Sequence, residues 1–291
     1  MVKSPQKCAL LIAGPTASGK SALAMKLARE RRGVIINADA LQVYGALRIL
    51  SARPSETDER AVPHRLYGHV APDRAYSVGV WLAEANEALE EAWDAGLLPI
   101  VTGGTGLYFK ALEQGLADIP SIPGSLRKHW RDFKGDLHAE LRTRDPVSAE
   151  RIPPTDRQRL IRALEVFEAT GRTLGDWHRE AQQQSVLAGV DVEKLYVMVP
   201  RDTLHERAEG RFDEMLENGA LEEVKQLGAL DSASPIMKAI GVPELRAHLD
   251  SEISLEEAAT RAKAATRQYI KRQETWFRGQ MTGYKPVSGL D

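Results

Sequence analysis

The chain has 291 residues, 43% apolar and 27% charged, with a formal net charge of −2 at pH 7. That length suits one large domain or a core carrying an insertion, with the composition of a soluble globular protein. Global basicity, a disulfide framework (Cys8 is the single cysteine) and a span of the ~20 apolar residues a membrane helix needs are all excluded.

The first element is an apolar run from Cys8 to Ala13, read as a buried strand with Cys8 inside it. It is too short for a signal peptide and leads straight into a glycine-rich loop, so the expected setting is the cytoplasm. Gly14-Pro15-Thr16-Ala17-Ser18-Gly19-Lys20-Ser21 fits G-x-x-x-x-G-K-[ST] without a mismatch. In such a loop the backbone N–H groups turn around an anion, the lysine adds a point charge, and the hydroxyl of Ser21 is offered to Mg²⁺. Good helix formers follow through Arg29. The loop alone does not say whose phosphates it holds: a kinase, an ATPase and an enzyme that expels diphosphate can all use it.

Val34-Ile35-Ile36 reads as a second buried strand, with Asp39 just beyond its carboxyl end. Open α/β sheets bind ligands on that edge, which puts Asp39 beside the loop; the other reading is an N-cap for a helix starting at Ala40. Residues 45–77 read as irregular. Tyr76-Ser77 then caps a helix to about Ala95, with Val80, Leu82, Ala83, Leu89 and Trp93 as its apolar positions. Leu97–Val101 is a third strand, and Thr102-Gly103-Gly104-Thr105-Gly106 makes a second glycine turn on the same edge. It either brings Thr105 near a ligand or is a tight packing turn.

From about Asp118 the texture changes, and 119–192 reads as a helical insertion. Arg127, Lys128, Arg131 and Lys134 share one helix, and Arg157, Arg159 and Arg162 the next; with Trp130 nearby they suit a solvated face or a phosphate-gripping one. Lys194–Val199 returns to strand, and everything after it reads as helical. Arg207 and Arg211 lie on one i, i+4 face, and a long helix runs from about Leu255 to Phe277. Arg261, Lys263, Arg267, Lys271, Arg272 and Arg278 cluster there with Tyr269, Trp276 and Phe277, which fits either an anionic partner or an amphipathic helix with its aromatics inside.

The expected fold is therefore α/β, a P-loop NTPase-like core (1–118 and 193–291) with a central parallel sheet flanked by helices, plus an all-helical insertion domain (119–192). Together, Gly14–Ser21, Asp39–Tyr44, Val62-Pro63-His64, Pro99–Tyr108, Arg159–Val166, Ala239-Ile240-Gly241 and Thr266–Phe277 resemble the bacterial tRNA dimethylallyltransferases. The resemblance spans nearly the whole chain. It departs where the family has Ser and this chain Ala40, where a second histidine is replaced by Arg65, and along Tyr44–Pro54.

The resemblance implies transfer of a dimethylallyl group from dimethylallyl diphosphate to N6 of adenosine 37, in tRNAs reading codons that begin with U. It implies Mg²⁺ as cofactor, Asp39 as general base, and Thr105 near the target nucleotide. Lys20, with Gly14, Pro15, Thr16, Ala17, Ser18, Gly19 and Ser21, would hold the donor's diphosphate, with Arg207 and Arg211 as further clamps. The anticodon stem-loop of tRNA would meet Asp39, Ala40, Leu41, Gln42, Thr105, Arg127, Gln158, Arg159, Leu160, Ile161, Arg162, Arg267 and Lys271. No membrane partner is expected, and the chain is expected to be a monomer. The alternatives are a small-molecule P-loop kinase, a prenyltransferase acting on free adenine nucleotides, and an RNA-binding module with an inert loop.

Overall fold

The computed structural model describes residues 6–181, 185–231 and 234–289. It divides into two compact units, 1–111 with 189–291, and 112–188. The second unit compares with the 119–192 expected from sequence.

The larger unit is built on a six-stranded parallel sheet. Its elements begin with β1 (Cys8–Ala13), α1 (Lys20–Arg31), β2 (Gly33–Asn37), α2 (Glu56–Ala61), β3 (His64–Arg65), α3 (Val78–Asp94), β4 (Leu98–Gly103) and α4 (Gly106–Gln114). The smaller unit holds α5 (Gly124–Asp132), α6 (Leu137–Arg144), α7 (Pro146–Arg151), α8 (Arg157–Thr170) and α9 (Leu174–Ala181). The chain then returns as β5 (Asp191–Met198), α10 (Arg201–Glu217), α11 (Ala220–Gln226), α12 (Val242–Leu249), α13 (Leu255–Gln280) and β6 (Lys285–Ser288).

The strand order is β3-β2-β4-β1-β5-β6. Residues Ala9–Ala13 and Val34–Asn37 are all buried, the continuous burial of parallel strands covered on both faces. Leu10, Ile12, Ile35, Ile100, Leu195 and Val197 pack with Ala24 and Ala28 of α1 on one face. A second cluster joins Val43, Tyr44 and Leu47 to Val224, Val242, Leu245 and Ala258, and so anchors the stretch after Asp39 to α11–α13. Glu223 reinforces this anchor, accepting the backbone N–H groups of Arg48, Ile49 (2.8 Å) and Leu50 (2.9 Å). This clamp shapes the Tyr44–Pro54 stretch that departs from the family pattern.

Several sequence expectations are corrected. Cys8 is exposed at the start of its strand, and its thiol donates to the Gln6 carbonyl. Residues 40–43 form turns and Tyr44 bridges to Val70, so Asp39 caps no helix there. The Ser77 cap of α3 is present and Leu89 is buried as expected, but Val80 and Ala83 are exposed, and the helix also buries Trp81, Ala85, Ala88 and Ala92. The segment after β5 is not wholly helical, because β6 closes the sheet beside β5.

Within the smaller unit, Trp130, Leu137, Leu141, Ala149, Leu160, Ala163 and Leu164 form a core of their own. Leu160 is 1% exposed and Ile161, half-buried, packs against the same cluster, so the helical period turns the Leu160 side chain inward rather than toward the surface expected of an RNA contact. Trp130 is likewise buried, with its Nε1 donating to Glu168 at 2.9 Å. Arg157 braces the unit by donating to the Arg131 and Phe133 carbonyls. Arg127, Gln158 and Arg159 are exposed and Arg162 half-buried; Arg159 pairs with Asp156 and Arg162 with Glu165.

Candidate active site

The carboxyl ends of β1, β2 and β4 bring three loops together. Gly14–Gly19 leaves β1, with Ala17 (φ 65°) and Gly19 (φ 82°) in the left-handed region, and α1 starts at Lys20. No side chain caps α1, so its first-turn N–H groups face the loop's interior as an anion site. Ser18 Oγ is buried and without a hydrogen-bond partner. Lys20 Nζ donates to the Pro15 carbonyl at 3.2 Å. Burial pulls the Lys20 pKa down to about 8; Asp39 opposes the shift and Arg211 adds to it.

Asp39 follows β2. Its Oδ1 accepts the Leu41 N–H at 3.0 Å, an Asx turn that fixes the carboxylate against its own backbone. Thr105, after β4, accepts the Ala40 N–H on Oγ1 at 2.9 Å and donates its own N–H to the Ala38 carbonyl at 3.1 Å. The two turns are thus stitched directly. Gln42 is spent on bracing, since its amide donates to the Ser51 and Ala52 carbonyls.

A cleft opens at this junction. Its polar lining is Thr16, Asp39, Ser51, Arg211, Thr266 and Tyr269, and its apolar lining Leu41, Leu50, Ala208, Phe212, Met215 and Ile240. Arg211 comes from α10, where burial lowers its pKa against the opposing pull of Asp39. Arg207, one turn earlier on α10, is half-buried and lies outside the cleft lining. Tyr67, Tyr108 and Tyr269 all have their hydroxyl pKa pushed up, first by burial and then by the Asp39 charge. The Asp39 charge thus acts on two cations and three phenols.

Sequence reasoning missed the neutral groups that build this geometry. Asn37 is fully buried and holds the Asp39 backbone, while Gln273 is 5% exposed and reaches the loops from α13. Gln273 lies inside the Thr266–Phe277 stretch, where the cations and aromatics drew the reading, and only the end-of-strand position of Asn37 hinted at a role. On α13, the expected cluster of free cations is thinner than its sequence suggests. Lys263 pairs with Asp213 at 2.6 Å, Arg261 with Glu257 at 2.7 Å, and Arg267 with Glu209. Lys271 is exposed and Arg272 lies over the Tyr269 ring. Arg267 is in this respect a tie to α10 rather than an open cation.

Among the described residues no group of three or more His, Cys, Asp or Glu side chains can hold a metal ion. Ser21, exposed in the first turn of α1, carries a hydroxyl, a hard oxygen of the kind that suits Mg²⁺.

The model of the IPP transferase family matches residues 42–280. The chain belongs to the IPP transferase family. A tRNA dimethylallyltransferase from Methylobacterium nodulans is 54% identical over 280 residues, covering 94% of this chain and 92% of that relative. One from Chelativorans sp. is 52% identical over 282 residues, covering 94% and 96%. Among solved structures, a tRNA isopentenylpyrophosphate transferase from Bacillus halodurans superposes with a TM-score of 0.71 at 30% identity, over 98% of this chain and 92% of that one. A eukaryotic dimethylallyltransferase acting on tRNA gives 0.85 at 27% identity, over 98% and 74%. The α/β core with its parallel sheet is the fold of this family. No helix among the described residues is long and apolar enough to cross a membrane.

Proposed function

We propose that this chain transfers a dimethylallyl group from dimethylallyl diphosphate to N6 of adenosine 37, in tRNAs reading codons that begin with U, releasing diphosphate. The observation that carries this reading is one cleft lined both by Asp39, Thr16 and Arg211 and by a set of apolar side chains. An anionic leaving group, a five-carbon tail and an amine nucleophile need those three surfaces together.

In the reaction the allylic carbon–oxygen bond breaks as a carbon–nitrogen bond to N6 forms. The loop N–H groups, Lys20 and Arg211 take up the charge that develops on the leaving oxygens, and preorganised stabilisation of this kind contributes most of the rate gain in many enzymes. Ser21 would hold Mg²⁺, which when bound would share that charge. The adenine amine is a weak nucleophile because its lone pair is delocalised into the ring. Asp39 accepts its hydrogen bond and then its proton, and Thr105 holds the adjoining turn. Leu41, Leu50, Phe212 and Met215 keep water from the electron-poor carbon.

A stacked adenine must be flipped out to reach such a cleft, at a cost of a few kcal/mol. Exposed cations on α5, α8 and α13, among them Arg127, Arg159 and Lys271, would grip the phosphates of the anticodon stem-loop. The enzyme would work as a cytoplasmic monomer.

The test is incubation with Mg²⁺, dimethylallyl diphosphate and a tRNA carrying adenosines at 36 to 38, followed by nucleoside mass spectrometry. The expected product is N6-dimethylallyl adenosine at position 37, lost in Asp39→Ala while tRNA binding persists. Turnover of ATP on a small alcohol without prenylated tRNA would overturn the reading.

A further inference from the structure

We propose that Gln273 is a positioning residue for prenyl transfer, a neutral amide brace that fixes the phosphate loop against the Gly104 turn. The proposal rests on the reading of the loop and Asp39 given above.

Gln273 stands on α13, far in sequence from both loops. Its Oε1 accepts the Thr16 N–H at 2.9 Å, and its Nε2 donates to the Gly104 carbonyl at 2.9 Å. A primary amide carries a donor and an acceptor in one rigid plane, so it can satisfy an N–H and a C=O on different loops at once without adding charge. Thr16 lines the cleft on the donor side. Gly104 immediately precedes Thr105, whose Oγ1 ties this turn to Ala40 next to Asp39. The brace therefore links the loop that would hold the leaving group to the turn that aligns the base.

The fit around Gly104 explains why the amide must be neutral. A Cβ built on Gly104 would stand 2.4 Å from Gln273 Nε2 and 3.5 Å from Asp39 Oδ2. Amide and carboxylate thus approach the same stretch of backbone. Asp39 is faced by Lys20 from α1, Arg211 from α10, Tyr108 from α4, Tyr269 from α13, and Tyr67. Another carboxylate there would repel the negative charge of Asp39. The brace is also held firmly from behind: α13 is pinned to α10 through Lys263–Asp213 and Arg267–Glu209, and Arg201 at the start of α10 pairs with Glu274 at 2.7 Å.

The experiment uses the full chain with Mg²⁺, dimethylallyl diphosphate and tRNA in single-turnover assays from pH 5 to 9, alongside tRNA binding without donor. Gln273→Leu should lower the rate at saturating substrate about 10- to 100-fold while tRNA affinity stays within about twofold, because orientation is lost and the RNA grip is not. Gln273→Glu keeps the Thr16 acceptor, loses the Gly104 donor and adds charge. Its acidic limb should move up by about one pH unit, with part of the rate recovered at high pH. A merely structural role predicts equal losses in both variants with an unmoved limb. If Gln273→Leu fails to fold, Gly104→Ala decides the matter, since its Cβ would displace the amide directly; a folded Gly104→Ala at native rate overturns the proposal. So does a native rate in Gln273→Leu, or an unshifted limb in Gln273→Glu. Asp39→Asn serves as the separate control. If it keeps the native acidic limb, the base assignment fails, and the Gln273→Leu rate alone then decides the brace.

Discussion

Asn37 brackets the backbone of Asp39: its Oδ1 accepts the Asp39 N–H at 2.8 Å, and its Nδ2 donates to the Asp39 carbonyl at 2.9 Å. The same Nδ2 reaches the Leu66 carbonyl at 3.0 Å, and the Asn37 carbonyl accepts from Trp81 Nε1 at 2.8 Å. One buried amide thus sets where the central carboxylate leaves the sheet. Asn37→Ala orphans the Asp39 N–H and two carbonyls, at a cost of about 2–4 kcal/mol. Thermal melting should show a midpoint lower by roughly 5–10 °C. Prenylation should fall more steeply than stability alone explains, and a native rate in the folded variant would argue against positioning.

Gly106 lies under the Trp276 ring, where an added Cβ would come within 2.1 Å of a ring carbon. The side chain of Gly106→Ala cannot fit unless the indole moves, so activity should drop at least tenfold. Trp276→Ala in the same chain removes the obstacle, and the double variant should recover part of the loss. Strict additivity in that double-mutant cycle would show that the two residues do not interact.

His64 provides a pH dependence. Burial lowers its pKa below the usual 6.5, only partly offset by the Val62 carbonyl that its Nδ1 contacts at 2.8 Å and by Glu59 and Asp58. The unfolded chain then binds this proton more readily than the folded one. Stability contributed by the neutral ring is complete above the unfolded value, falls as pH drops through the window between the two values, and levels off below the folded one. Urea midpoints at pH 7.5 and 5.5 should differ less in His64→Gln than in the native chain. An equal difference would remove His64 from the acid response.

The α13 cations separate into two kinds. Lys271→Glu, at an exposed position, should weaken tRNA binding and reduce the salt slope of log K by about one. Arg267→Glu should first damage the contact with Glu209 on α10 and lower the melting temperature, with Glu209→Arg restoring it. Filter binding across salt concentrations and thermal melts distinguish the two.

The phosphate loop is legible in the sequence because its chemistry is contiguous: eight residues in register with a strand before and a helix after. Asp39 is legible by position, since a carboxylate past a parallel strand falls on the ligand edge whatever follows it. Gln273 and Asn37 are not, because a neutral amide leaves no charge pattern, and Gln273 meets Thr16 across 257 residues of sequence. The strand β6 is four residues long, mostly exposed and contains Pro286, so it carries almost no alternation to detect. Leu160 and Ile161 look like RNA contacts only when their motif is taken whole; period 3.6 divides that motif into exposed Arg159 and buried Leu160. The α13 cluster looks larger in the sequence than in the fold because its partners, Asp213 and Glu209, lie on another helix.

The Glu223 clamp has a consequence for how this cleft can change. It grips Arg48, Ile49 and Leu50 by main-chain N–H groups, so the clamp itself does not depend on which side chains those positions carry. Leu50 is at once a passenger on that turn and a piece of the cleft's apolar lining. An exchange at Leu50 would therefore change the width available to a hydrocarbon tail while the main-chain clamp stays in place. A descendant of this sequence could acquire a taste for bulkier donors there with the three N–H grips of Glu223 unchanged.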